Sequence, residues 1–176
     1  MFSDISRYEN ISDYLPILNA VLLVDLAGIQ MLISGIIQSK KLAKWYKTFR
    51  LEAVAADVLI IVIGIVIARF LYSYLFKGFS LFYFVILVVG IQIIHDFGFY
   101  VFFKMFPSGK NQMIDLFQEY AKEVGINAVI FDSGMIGLAS ILASWLASFS
   151  TNTNIVLLIF VLYLFPYYIS HNFITS

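Results

Sequence analysis

The chain has no cysteine among its 176 residues. That excludes disulfides, thiolate nucleophiles and cysteine-bound zinc. Charge is the next scarcity: Asp, Glu, Lys and Arg make up 12% of the sequence, about half of what soluble domains carry. In its place stand 61% hydrophobic residues and a mean hydropathy of +0.92. Water does not hold such a chain as a monomer, so its first partner is the lipid bilayer. Net charge is zero, and no basic run is long enough to track a phosphate backbone, so nucleic acid is excluded as a partner. Only two histidines occur and HExxH spacing is absent, which leaves metal ligation unassigned. No cofactor is expected. No lysine falls inside an apolar stretch, so a retinal Schiff base has no attachment point. No Gly-Asp pair occurs, which removes the core of an intramembrane aspartyl protease. Sustained apolar/polar alternation is missing too, and with it the pattern of a membrane β-barrel.

What is present is a series of long apolar runs. Spans are read at about residues 15–37, 53–75, 79–103, 126–148 and 154–169. The first four are long enough to cross a ~30 Å hydrocarbon core as helices. The fifth is short and contains Pro166, so it extends toward Ser150 or His171, is kinked, or is re-entrant. The expectation is an all-α fold: one polytopic transmembrane helix bundle over residues 1–176, with five spans. Loop 38–52 holds Lys40, Lys41, Lys44, Lys47 and Arg50, and the 104–125 connection adds Lys104, Lys110 and Lys122. The other side holds Arg7, Arg69 and Lys77. This asymmetry puts the N-terminus outside or in a lumen and the C-terminus in the cytoplasm. The first span lacks a cleavage pattern and exceeds a signal h-region, so it is expected to stay as an anchor. The sequon at Asn10 lies too close to the membrane to be modified.

Between Pro107 and Gly125, apolar Met113, Ile114, Leu116, Phe117, Tyr120, Ala121 and Val124 recur at helical spacing. Asp115, Gln118, Glu119, Lys122 and Glu123 lie opposite. The pattern predicts an amphipathic interfacial helix over 111–124, packed under the bundle or against a partner.

Four apolar runs carry an aspartate: Asp25 in VLLVDLAGI, Asp57 in AVAADVLII, Asp96 in GIQIIHDFGF and Asp132 in AVIFDSGMIG. At a bilayer centre each costs about 2.5–3.5 kcal/mol on insertion scales. Counting about 1.5 Å per residue, Asp57, His95, Asp96, Asp132 and His171 share one layer near the cytoplasmic face. Asp25 lies above that layer, near the midplane. Gln92, Asp96 and Tyr100 form an i, i+4, i+8 stripe. Two readings compete. The acids and His95 either form an ion pathway or lock helices together by hydrogen bonds. For Asp57 and Asp132 a helix N-terminus offers a purely structural home.

On the fourth span Ser133 and Gly137, and then Ser140 and Ser144, recur at four-residue spacing. Small residues at such spacing mark close helix packing, so this helix is expected at the centre of the bundle. Asp132-Ser133-Gly134 with a distant His171 is too sparse for a serine hydrolase, since nothing supplies an oxyanion hole; no enzyme activity is expected. Ala53-Val-Ala-Ala-Asp57 and Ala128-Val-Ile-Phe-Asp132 echo each other faintly, as internal repeats in transporters do.

The stretch from His95 to Met135 resembles a pattern in multi-spanning membrane proteins of unknown function encoded by large DNA viruses. The likeness rests on His95-Asp96, Pro107-x-Gly109-x-Asn111, Tyr120-Ala121 and Asp132-Ser133. It implies a virion inner membrane or a host internal membrane as the location and supplies no activity. Two expectations follow: a small channel or transporter for protons or cations, or a non-catalytic membrane scaffold. The scaffold would assemble as a homo-oligomer or dock a viral structural partner through the 111–124 helix.

Overall fold

The computed structural model describes residues 2–171. After an extended segment and a 3-10 turn at Ile11–Asp13 come seven α-helices among the described residues, and no strand. They are α1 (Tyr14–Ile33), α2 (Lys40–Phe49), α3 (Leu51–Leu75), α4 (Leu81–Lys104), α5 (Gln112–Val124), α6 (Ile126–Leu146) and α7 (Thr151–Ile169). Five of them, α1, α3, α4, α6 and α7, are long and apolar enough to cross a membrane. The protein is an all-helical, multi-pass membrane protein.

Helix ends follow local chemistry. Asn111 accepts from the amides of Met113 and Ile114, which starts α5 at the expected place. Ser150 accepts from Thr153 N–H at 3.1 Å, so the fifth span gains a turn beyond Asn154 and keeps Pro166 inside it. The first span ends at Ile33 rather than 37, because the chain turns through Gly35 at φ 77°.

Loop 38–52 holds a helix that the sequence reading treated only as a basic anchor. Ser39 caps α2, and Ala43, Trp45, Tyr46 and Phe49 are buried along one side while the lysines face outward. The spacing of Ala43, Tyr46 and Phe49 along the sequence is the signal of this helix, set among lysines that also mark the basic face.

A second correction concerns the centre of the bundle. In α1, 11 of 20 residues are buried; in α6, 7 of 21. The central helix is therefore α1, and α6 packs on it and on α4. Along α6, Gly137, Ser140 and Ser144 are buried and Ser133 is half-buried. A Cβ at Gly137 would meet Val85 and Val89 of α4 at 3.7 Å, ordinary contact, so α6 lies against α4 there without the approach demanding glycine. Ser140 and Ser144 turn their hydroxyls to carbonyls, Ser140 to Ile136 and Ser144 to Ser3.

The faint echo in the sequence becomes an architectural repeat. The unit α1–α2–α3 and the unit α4–α5–α6 each run spanning helix, amphipathic helix, spanning helix. In both, a single residue with positive φ joins the last two helices: Arg50 at φ 47°, ψ −118° and Gly125 at φ 59°, ψ −133°. Asp57 and Asp132 each follow that hinge by seven residues, and Asp25 and Asp96 each precede the end of their helix by eight. Packing respects the repeat: α1 lies against α6 as α3 lies against α4, and α2 meets α5. Both units enter and leave in the same direction, so they are parallel repeats, with α7 added outside them.

Candidate functional site

The basic face of the bundle is floored by α2 and α5. Phe117 of α5 packs on Trp45 of α2 at 4.7 Å and on Phe103 of α4 at 5.5 Å between ring centres. The Glu123 carboxylate accepts from the amides of Lys40 and Lys41 at 2.8 and 3.0 Å, an anion seated on the N-terminus of α2. Lys41 donates to Glu119 at 2.6 Å. That contact holds the Glu119 carboxyl below the ordinary glutamate range. The acidic face of α5 is thus met by the basic face of α2 within one chain.

Above this floor lies a cavity of about 950 Å³. Its wall includes Asp25, Asp57, Asp96 and Asp132, together with Gln92, His95 and Tyr100. The layer predicted from depth counting therefore exists, with two changes. Because α1 ends early, Asp25 is about 12 Å from the end of its helix; it sits within the layer, not above it. His171 lies exposed beyond the end of α7 and takes no part in the cavity wall.

Tyr46 ties the first half of the site together. Its hydroxyl lies 2.9 Å from Asp57 Oδ2 and 3.3 Å from Asp25 Oδ1. Trp45 Nε1 donates to the same Asp57 oxygen at 3.0 Å. A phenol has one proton to donate. Shared between the two carboxyls, that hydroxyl makes Asp25, Tyr46 and Asp57 one hydrogen-bonded chain across α1, α2 and α3. Burial, and then the neighbouring Asp57 and Asp25, push the Tyr46 phenol well above its usual value, so it stays a neutral donor.

The second half repeats the motif with different partners. Gln92 donates to Asp96 Oδ1 at 2.6 Å, and His95 Nδ1 lies 3.1 Å from the same oxygen. The helical stripe stops there: Tyr100 turns its ring to the Lys104 ammonium, 4.3 Å away. Tyr120 of α5 lines the cavity near Asp132, and burial first, then Asp132, raises its phenol above the ordinary value. Asp25 Oδ2, Asp96 Oδ2 and His95 Nε2 are buried without a hydrogen-bond partner among the described residues. Among the described residues no three His, Asp or Glu side chains converge closely enough to hold a metal ion.

Toward the opposite face the bundle packs an apolar layer, and a smaller hollow of about 330 Å³ beside Asp13 and Asn154 lies beyond it. Val21, Ile65, Ala68, Val88, Ala139 and Ala143 are fully buried between the cavity and the far face. There Arg69 is fully buried and pairs with Asp13 at 3.1 Å. It also donates to the carbonyls of Arg7 and Asn10 and lies over the Tyr14 ring. Asn19 donates to Asn154, whose own amide reaches the Leu146 carbonyl and joins α1, α6 and α7. Sequence reasoning counted Arg69 as a loop charge, although it lies well inside the second span. A cation in an apolar run has to find an acid, and Asp13 at the start of the first span was the available one.

Comparison with protein-family models, curated proteins and solved structures finds no match to this chain.

Proposed function

We propose that this protein is a small membrane transporter or channel for protons or cations, and that the acidic cavity is its ion-handling site. One observation carries the reading: four carboxylates, two from each repeated half, line one cavity that reaches the basic face and is sealed from the other. Polar sites at the junction of repeats are the usual arrangement in secondary transporters. The Asp25–Tyr46–Asp57 chain supplies a place for a proton to wait, and Asp96 with His95 supplies a second. The dry layer and the Arg69–Asp13 pair form the barrier that any passage must open. In this reading α2 and α5, pinned by Glu119 and Glu123, act as the gate on the basic side, taken as cytoplasmic. A virion or internal-membrane location belongs to the same proposal and rests on the viral resemblance alone.

The scaffold reading draws support from Asp57, which accepts from both Trp45 and Tyr46 and so fastens α2 to α3. It calls for a dry bundle in which every aspartate is satisfied, and the cavity and the unpartnered Asp25 and Asp96 oxygens favour transport instead. A structural partner on α5 would have to use its exposed polar edge, since Leu116 and Phe117 already pack within the chain.

Ion flux into proteoliposomes, measured for protons, K⁺ and Na⁺ beside Asp96→Asn, tests the proposal. Flux by the native protein that the folded variant loses supports it. No flux from correctly inserted native protein refutes transport and leaves the scaffold.

A further inference from the structure

We infer that the natural occupant of the acidic cavity is an organic cation, an ammonium or similar charged head on an apolar body. This deepens the transport reading and rests on it.

Size comes first. A water molecule claims about 30 Å³, and small-molecule sites span roughly 300–1,000 Å³. The cavity here, about 950 Å³, stands at the top of that range and far exceeds what a bare ion needs. Its chemistry is divided. Around the acids the wall is aromatic, with Trp45, Phe99, Tyr100, Phe103, Tyr120 and Phe131 among its residues. Aromatic faces attract cations once water is excluded, and Lys104 over Tyr100 already shows such a contact in this wall. At the deep end Asp25 is fully buried, and its Oδ2 lacks a partner. A buried carboxylate in that position calls for a cation or a proton.

The chain does not supply that cation. Among the described residues no lysine or arginine forms an ion pair with Asp25, Asp57, Asp96 or Asp132, and His95 alone stands beside Asp96. Three lysines line the cavity, Lys41, Lys104 and Lys122, none of them paired with these four acids; Lys41 is engaged with Glu119 and Lys104 with the Tyr100 ring. Among the described residues no cluster of His, Asp and Glu fits a metal ion. Access fits as well. Phe97 and Ile126 line the cavity yet are 52% and 60% exposed on spanning helices, so the mouth reaches the lipid-facing surface. An apolar-bodied cation enters from the bilayer by that route. On binding, its charge replaces a proton on a carboxyl; the proton leaves to the basic face, and no other bond is made or broken.

The probe is radiolabelled tetraphenylphosphonium, with tetraphenylborate as an anion of the same shape. Purified protein in nanodiscs should bind the phosphonium saturably, one per chain, with no comparable site for the borate. Asp25→Asn and, separately, Asp132→Asn should each weaken binding by about tenfold or more. Asp132 makes no side-chain hydrogen bond among those described, so its variant tests the charge even if Asp25→Asn folds poorly. Equal uptake of both probes, or full affinity in folded Asp132→Asn and Asp25→Asn proteins, overturns the inference. The ion-flux assay separates the two claims. Flux without phosphonium binding leaves transport standing and removes the organic substrate; absence of both removes the site altogether.

Discussion

Replacing Tyr46 by Phe removes one oxygen and nothing else. The ring packing stays, so no cavity of consequence forms, and the loss falls on the hydroxyl's contacts with the two carboxyls. Asp57 keeps Trp45 as a donor at 3.0 Å. Asp25 keeps none among the described residues, because Tyr46 is its one hydrogen-bond partner there and its other oxygen is already orphaned. Leaving a buried acceptor unsatisfied costs about 1–3 kcal/mol, so reversible unfolding in mixed micelles should show a loss in that range. Flux should fall by roughly tenfold or more if the hydroxyl carries the proton between the two acids, a factor that corresponds to about 1.4 kcal/mol. Trp45→Phe is the control: it takes a donor from Asp57 but leaves the Asp25–Tyr46–Asp57 chain, so stability drops while flux persists. A double-mutant cycle of Tyr46→Phe with Asp25→Asn should return a coupling of about 0.5–3 kcal/mol. Additive losses, or a Tyr46→Phe protein with unchanged stability and flux, would refute the shared-proton chain.

Two further outcomes test the architecture. Arg50 holds a backbone conformation at φ 47° that glycine adopts freely, and Gly125 occupies the same place in the second repeat. Strain of this kind costs about 1–3 kcal/mol, against roughly 0.5–1 kcal/mol of extra chain entropy lost by glycine. Arg50→Gly should therefore raise the melting temperature in detergent and Gly125→Ala should lower it; shifts of the same sign would remove the hinge equivalence. The second outcome concerns pH. The Glu119 carboxyl is held below its ordinary value of 4.5 by Lys41. The contact it makes is then fully present above that value and lost as pH falls through the lowered one. Spin labels placed through Lys40→Cys and Lys122→Cys, in a chain otherwise free of cysteine, should report an unchanged α2–α5 distance down to the ordinary glutamate range and separation only below it. Separation near neutral pH would show that Glu119 does not hold the floor.

The repeat gives the site its logic. Each half brings one aspartate in on a helix that descends toward the basic face and one out on a helix that leaves it, so two halves side by side set four acids at similar depth. The halves differ where it matters chemically. The first ties both acids to one phenol, while the second pairs Asp96 with a glutamine and a histidine and leaves Asp132 facing the cavity. That asymmetry distinguishes a half whose acids share one hydroxyl from a half in which Asp132 has no side-chain hydrogen bond among the described residues.

The bilayer made much of this protein legible in sequence. Because lipid satisfies no backbone polar group, each apolar run long enough to cross must be a helix, and composition alone set the fold class and the spans to within a few residues. The same rule singled out Asp25, Asp57, Asp96 and Asp132, since an acid in such a run is costly wherever it lands. Counting residues from helix ends set Asp57, Asp96 and Asp132 at one depth while placing Asp25 too far from them, because α1 ends at Ile33. Depth is a local property; direction is not. Which way each side chain turns depends on how the helices rotate and pack, so only the tertiary structure could join Asp25 to Asp57 through Tyr46, turn Tyr100 toward Lys104 and place His171 outside the cavity. It also decided that α1 is central, with 11 of its 20 residues buried against 7 of 21 in α6, since which helix the others surround depends on packing and not on any one helix's small-residue stripe. Arg69 shows the limit most clearly: the sequence offers a cation and several acids, and the fold alone sets Asp13 against it.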